Sequence, residues 1–157
     1  MPPSLPSGTV VAYAGNRIPS GWLLCDGSVK NQKDYPVLYN ALETSWGKGD
    51  SSKGSFHLPD MRGMFLRGVD GNGKNDPDRD SRISSSNNGG NVGNNVGTLQ
   101  LDELKNHTHS YSSPDKKGKS VFAANPSGGG SDSTGGTETQ GKETRPKNVY
   151  VFYIIKE

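Results

Sequence analysis

Two histidines two residues apart, His107-Thr108-His109, form the clearest chemistry-bearing spacing in the chain. In an extended segment both imidazoles point to one face and Thr108 to the other. Two imidazoles are too few to hold a first-row metal by themselves. The third histidine, His57, lies in Phe56-His57-Leu58-Pro59, far from the pair, and reads as structural. A single cysteine, Cys25, excludes an intrachain disulfide and a Cys-rich zinc centre. It sits in Trp22-Leu23-Leu24-Cys25 with no base nearby in sequence, the setting of a buried, inert thiol. Asp70, Asn72, Asp76, Asp78 and Asp80 imitate a calcium loop, but its sixth and twelfth positions hold Asn75 and Ser81 instead of Gly and Glu. Asp–Arg pairs to Arg79 and Arg82 suit that segment better. The glycines after Gly90 form neither GxGxxG nor a P-loop, so no nucleotide cradle is expected. Asp102 and Glu103 would point to opposite faces of a strand and cannot flank one glycosidic bond, so no enzymatic activity is expected. Tyr111, Lys116, Lys117, Lys119, Phe122 and Asn125 bring aromatic faces, cations and an amide into one polar stretch. Such groups suit a sugar or lipopolysaccharide, although a flexible linker can have the same composition.

These residues must be positioned by a chain with few apolar groups. Gly, Ser and Asn make up about a third of the 157 residues, and Leu, Val, Ile and Phe together only about 18%. The net charge is +2, too small and too dispersed for a nucleic-acid surface. No run of ~20 apolar residues is present to cross or insert into a membrane. The opening Met1-Pro2-Pro3-Ser4-Leu5-Pro6 lacks the basic-then-apolar pattern of a Sec-type signal. Because net charge is low, poor hydrophobicity argues less for disorder than for a subunit that completes its core against other copies.

Composition divides the chain into a folded unit at 1–69, a polar arm with the histidine pair at 70–111, a Gly/Ser-rich stretch at 112–141 and a return strand at 142–157. Residues 8–14 and 22–25 read as strands, separated by the turn Pro19-Ser20-Gly21. Asp34 can cap a helix entered through Pro36, with Val37, Leu38, Ala41 and Leu42 on one face and Trp46-Gly47-Lys48-Gly49 as its stop. Short strands are expected again at 56–59 and 63–68. Residues 70–98 cannot form a core of their own, and should be a loop or an arm lying on another surface. The most β-prone run, 148–156, is apolar on both faces and should be buried on both.

In this order, the motifs resemble the phage tail collar family. The matching runs are Pro19-Ser20-Gly21-Trp22-Leu23-Leu24-Cys25-Asp26-Gly27, Tyr35-Pro36 with Leu38, Trp46-Gly47, and Phe56-His57-Leu58-Pro59-Asp60-Met61-Arg62-Gly63-Met64-Phe65-Leu66-Arg67-Gly68. Gln100 with Asp102-Glu103, His107-Thr108-His109, and Thr144-Arg145-Pro146-Lys147-Asn148 leading into Tyr153-Ile154-Ile155-Lys156 complete the series.

The resemblance implies an α+β fold of mostly short β-strands with one helix per chain, in an intertwined homotrimeric fibre tip. It also implies a structural metal, iron or zinc, one per trimer. His107 and His109 from three chains would supply six nitrogen ligands at about 2.1 Å. The 112–141 stretch would be the distal tip that touches a bacterial surface glycan or lipopolysaccharide, through Tyr111, Lys116, Lys117, Lys119, Phe122 and Asn125. Asp60, Arg62 and Arg67, charged residues amid apolar ones, are expected to serve structure through inter-chain ion pairs and backbone hydrogen bonds, since partly buried arginine is usually paired. The expected setting is extracellular, on a virion tail fibre or a bacterial cell-surface fibre, with a fibre stalk or tail components as neighbours. A bacterial adhesin using a phage-type tip, or a purely structural collar without receptor contact, are the alternatives.

Overall fold

The computed structural model describes residues 5–50, 53–103 and 146–157. The chain divides into two compact units, one of Met1–Leu101 with Asn148–Glu157 and one of Asp102–Lys147. All the elements below lie in the first. In chain order they are β1 (Val10–Tyr13), β2 (Trp22–Leu24), β3 (Val29–Asn31), α1 (Pro36–Leu42), β4 (Ser55–His57), a 3₁₀ turn (Arg79–Ser81), β5 (Ile83–Ser84), β6 (Thr98–Leu99) and β7 (Phe152–Lys156). Short strands and one helix among the described residues make this a small α+β fold.

The last strand is the middle of the main sheet. β7 lies antiparallel between β1 and β2, with Val10, Ile155 and Leu23 in one cross-strand row and Val11, Ile154 and Leu24 in the next. Adjacent strand residues face opposite ways, and both Ile154 and Ile155 are buried. The apolar run at the C-terminus is therefore covered on both faces over these two residues, as its composition implied. Towards the N-terminal side the expectation overreaches: Val149 and Tyr150 are 83% and 92% exposed and precede the strand.

Against the Ile155 face sits the core of Cys25, Leu38, Leu42, Phe56, Leu58 and Met61, with Val10, Leu23, Tyr35, Tyr39, Trp46 and Tyr153 packed around it. Tyr39 meets Phe56 at 5.5 Å between ring centroids with the planes inclined at 57°, a favourable tilted aromatic contact. Burial pushes the Cys25 thiol up to about 12, with the Asp26 and Asp60 carboxylates adding to the shift. The inert-thiol reading stands.

The helix departs from its sequence expectation at both ends. Asp34 does not cap it; Asn31 organises the entry instead. Its side chain accepts from the Lys33 N–H and its carbonyl from the Asp34 and Tyr35 N–H groups, an Asx turn that leads into Pro36. The helix stops at Glu43, held at φ 48°, before the glycines. Leu38 and Leu42 are buried, as a spacing of four requires. Val37 and Ala41 are exposed, and Tyr35 and Tyr39 flank the buried pair instead. The apolar stripe is rotated by about one residue, 100°, because the core contacts this helix from the tyrosine side.

Candidate self-association surface

The collar signature around residue 60 is built by close backbone approach. Asp26 and Asp60 face each other in an antiparallel bridge. Gly27 N–H donates to the Pro59 carbonyl and Met61 N–H to the Cys25 carbonyl. Gly27 has φ +76°, and a Cβ there would lie 3.1 Å from the Asp60 Cβ, so this turn requires glycine. His57 closes the same corner. Its Nδ1 lies 3.0 Å from the Gly27 carbonyl, which can only accept, so Nδ1 carries the proton and the ring is a structural brace.

Asp60 holds Arg62 in a fork, Nε to Oδ1 at 2.8 Å and a terminal nitrogen to Oδ2 at 2.6 Å. The hydrogen bond from Arg62 is the main reason the Asp60 carboxyl is held below its ordinary range, against the opposing effect of burial. Arg67 pairs with Asp76 at 3.4 Å. Both arginines find carboxylates within their own chain, two and nine residues away.

The polar arm folds around the same chemistry. Asp76 is 6% exposed and receives Arg67 and Arg82, the latter at 3.6 Å. Arg79 bonds to Asp70 at 2.9 Å and also to the Gly73 carbonyl. Burial tends to raise the Asp70 carboxyl, but Arg79 and the N–H groups of Asn75 and Asp76 outweigh it and hold it low. Arg82 reaches on to Thr98 Oγ1 at 3.0 Å and Gln100 Oε1 at 2.8 Å, tying the arm's start to its end. The Asp–Arg pairing of Arg79 and Arg82 was legible in the sequence; that it would be buried was not. The arm lies on the collar, with Asn91 N–H donating to the Ser45 carbonyl and Lys48 N–H to the Asn88 carbonyl. No cluster of three or more His, Cys, Asp or Glu among the described residues could hold a metal.

Two apolar runs remain without cover. Met64, Phe65, Leu66 and Val69 are 44%, 66%, 54% and 49% exposed, and Val149, Tyr150, Val151 and Phe152 are exposed as well. The strand expected at 63–68 does not form. Gly63 turns at φ +72° and Met64 N–H bonds back to the Met61 carbonyl. From Phe65 to Val69 no backbone group is hydrogen-bonded among the described residues. A chain already poor in apolar residues leaves two runs of them in water, and extended backbone with free N–H and C=O groups can accept a strand. These runs are what the structure offers for association. The sequence suggests an internal strand for the first; among the described residues it pairs with none.

The sequence-derived site residues His107, His109, Tyr111, Lys116, Lys117, Lys119, Phe122 and Asn125 lie outside the described residues. Among the described residues no helix is long and apolar enough to cross a membrane.

Residues 8–66 match the family model of the phage tail collar domain. The chain is 43% identical over 142 residues to protein RhiB of Rhizobium leguminosarum bv. viciae, covering 87% of this chain and 64% of RhiB. It is 29% identical over 119 residues to the short tail fiber protein gp12 of Enterobacteria phage T4, covering 68% of this chain and 20% of gp12. StfE of Escherichia coli K12 is 36% identical over 67 residues, covering 43% of this chain and 32% of StfE. The chain thus spans less than two thirds of the length of each relative. The collar match and the tail-fibre relative support a phage-type fibre protein. The residues of the Gly27–Asp60–Met61 corner and its packed helix fall inside the stretch that matches the phage tail collar domain, residues 8–66.

Proposed function

We propose that this protein is a homotrimeric fibre-tip adhesin, virion-associated or extracellular, that binds a bacterial surface glycan or lipopolysaccharide and has no enzymatic activity. The observation that supports it most is the pair of uncovered apolar runs, 64–69 and 149–152, in a chain with a collar domain. Burying them between copies supplies core that one chain lacks. In the trimer His107 and His109 of three chains hold one structural iron or zinc ion. Neutral imidazoles are the donors such an ion prefers, and six of them leave no open position for catalysis. Tyr111, Lys116, Lys117, Lys119, Phe122 and Asn125 contact the receptor, while fibre stalk or tail components join at the other end. Three sites per tip raise apparent affinity by ~10²–10⁴ over one.

Solution mass and metal content measured on one sample test the assembly. Three chains with about one metal ion are expected; a compact, cooperatively melting single chain would overturn it. Deleting 112–141 should abolish binding to cells or lipopolysaccharide and keep the trimer. Binding that survives the deletion removes the tip from that role. A full chain that never binds cells would leave a structural collar. The match to RhiB, a protein of a bacterium, favours a second reading: a bacterial adhesin that uses a phage-type tip.

A further inference from the structure

The sequence holds two Asn-Gly dipeptides, Asn72-Gly73 and Asn88-Gly89. Asn-Gly is the dipeptide most open to intramolecular attack, because glycine puts no side chain in the way of its own amide nitrogen. Both asparagines are exposed, so exposure does not separate them. Their glycine nitrogens do differ. Gly73 N–H is held by the Asp70 carbonyl at 2.8 Å, inside a turn that Arg79 also grips. Gly89 N–H makes no bond of that quality among the described residues: it only loosely closes the turn over Asn87 and Asn88, with Gly89 at φ +83°.

The geometry points to Asn88 as a spontaneous deamidation site that ages this loop. The Gly89 backbone nitrogen loses its proton to solvent base and attacks Asn88 Cγ. The Cγ–Nδ2 bond breaks, ammonia leaves, and a five-membered succinimide forms between the two residues. Water then opens the ring at either carbonyl, giving aspartate or isoaspartate at 88. No oxidant or cofactor is consumed.

The position matters because Asn88 fastens the arm to the collar in two ways. Its carbonyl accepts the Lys48 N–H at 3.2 Å. Its side-chain amide lies 3.3 Å from His57 Nε2. With the ring proton on Nδ1, facing Gly27, Nε2 is an acceptor and the Asn88 amide is its donor. Deamidation replaces that donor with a carboxylate facing a lone pair. The isoaspartate product also inserts a methylene into the backbone beside the Lys48 contact.

Peptide mapping of the intact protein, incubated at mildly alkaline pH with and without denaturant, tests this. Electron-based fragmentation locates the gain of one mass unit and distinguishes isoaspartate from aspartate. In denaturant the two dipeptides should react at similar rates. In the folded protein Asn88 should react about fivefold faster than Asn72, the factor implied by one net hydrogen bond at Gly73. Equal folded rates, a faster Asn72, or an unmodified Asn88 would overturn the proposal. Hydrogen exchange reads the consequence: the isoaspartate fraction should lose protection at Lys48 N–H, while Asn88→Asp, with a normal backbone, should retain more of it. Equal protection would overturn the backbone part.

Discussion

The collar core and the polar arm sit in one compact unit but are held by opposite means. In the core, Ile155 is buried between Val10 and Leu23 and above Leu38 and Phe56, and no charge takes part. In the arm, residues 70–101 contribute no large buried apolar side chain; the buried group there is a carboxylate, Asp76. The first is stabilised by area removed from water, the second by directed bonds to charge. A chain with few apolar residues can thus concentrate them around one strand and fasten the rest with arginine. The difference also separates the two regions experimentally, since the buried carboxylate and its ion pairs lie in the second.

Ile155→Ala should cost about 3–4 kcal/mol and lower the denaturant midpoint of the whole unit. A loss below ~1 kcal/mol would mean the sheet centre is not where stability resides. Next, Asp76→Ala should cost about 2 kcal/mol, as it leaves the Arg82 guanidinium short of a buried anion. Hydrogen exchange should show the loss at Ser85 and Gly93 N–H, which close the arm, and not along β7. Loss of protection in both regions would merge them into one cooperative unit.

Acid should separate them further. In the arm, the folded carboxyl of Asp70 lies below its ordinary value. A depressed folded pKa gives stability that is present above the unfolded value, about 4, and is lost as pH falls through the folded value. The arm should therefore loosen below about pH 4 before the core does, and Asp70→Asn should flatten that acid dependence. The smallest effect is expected from Arg62→Ala. Its pair with Asp60 is exposed to solvent, and such pairs contribute little. The melting temperature should not move measurably, though the titration of Asp60 should return towards its ordinary value.

Much of the collar was readable from residue types. Val10-Val11, Trp22-Leu23-Leu24 and Phe152-Tyr153-Ile154-Ile155 are β-prone and form the sheet, and Pro36 marks the helix entry. Asp and Arg alternating between 76 and 82 announced ion pairs. Less readable was which groups meet: Val37 and Ala41 read as helix core but face solvent, and residues 63–68 read as a strand yet find none to pair with. The histidine pair and the tip residues lie outside the described residues.

Composition and local pattern settled where apolar side chains are scarce, which runs are extended, where glycine must turn, and that one cysteine stays inert. Those properties depend on each residue and its near neighbours. That the last strand is central, that Asp76 is buried, that Asn31 rather than Asp34 starts the helix, and that Arg62 and Arg67 pair inside the chain depend on groups distant in sequence or on the path of a loop. Period and propensity say which face of an element is apolar; only the packed chain decides which of those faces is covered.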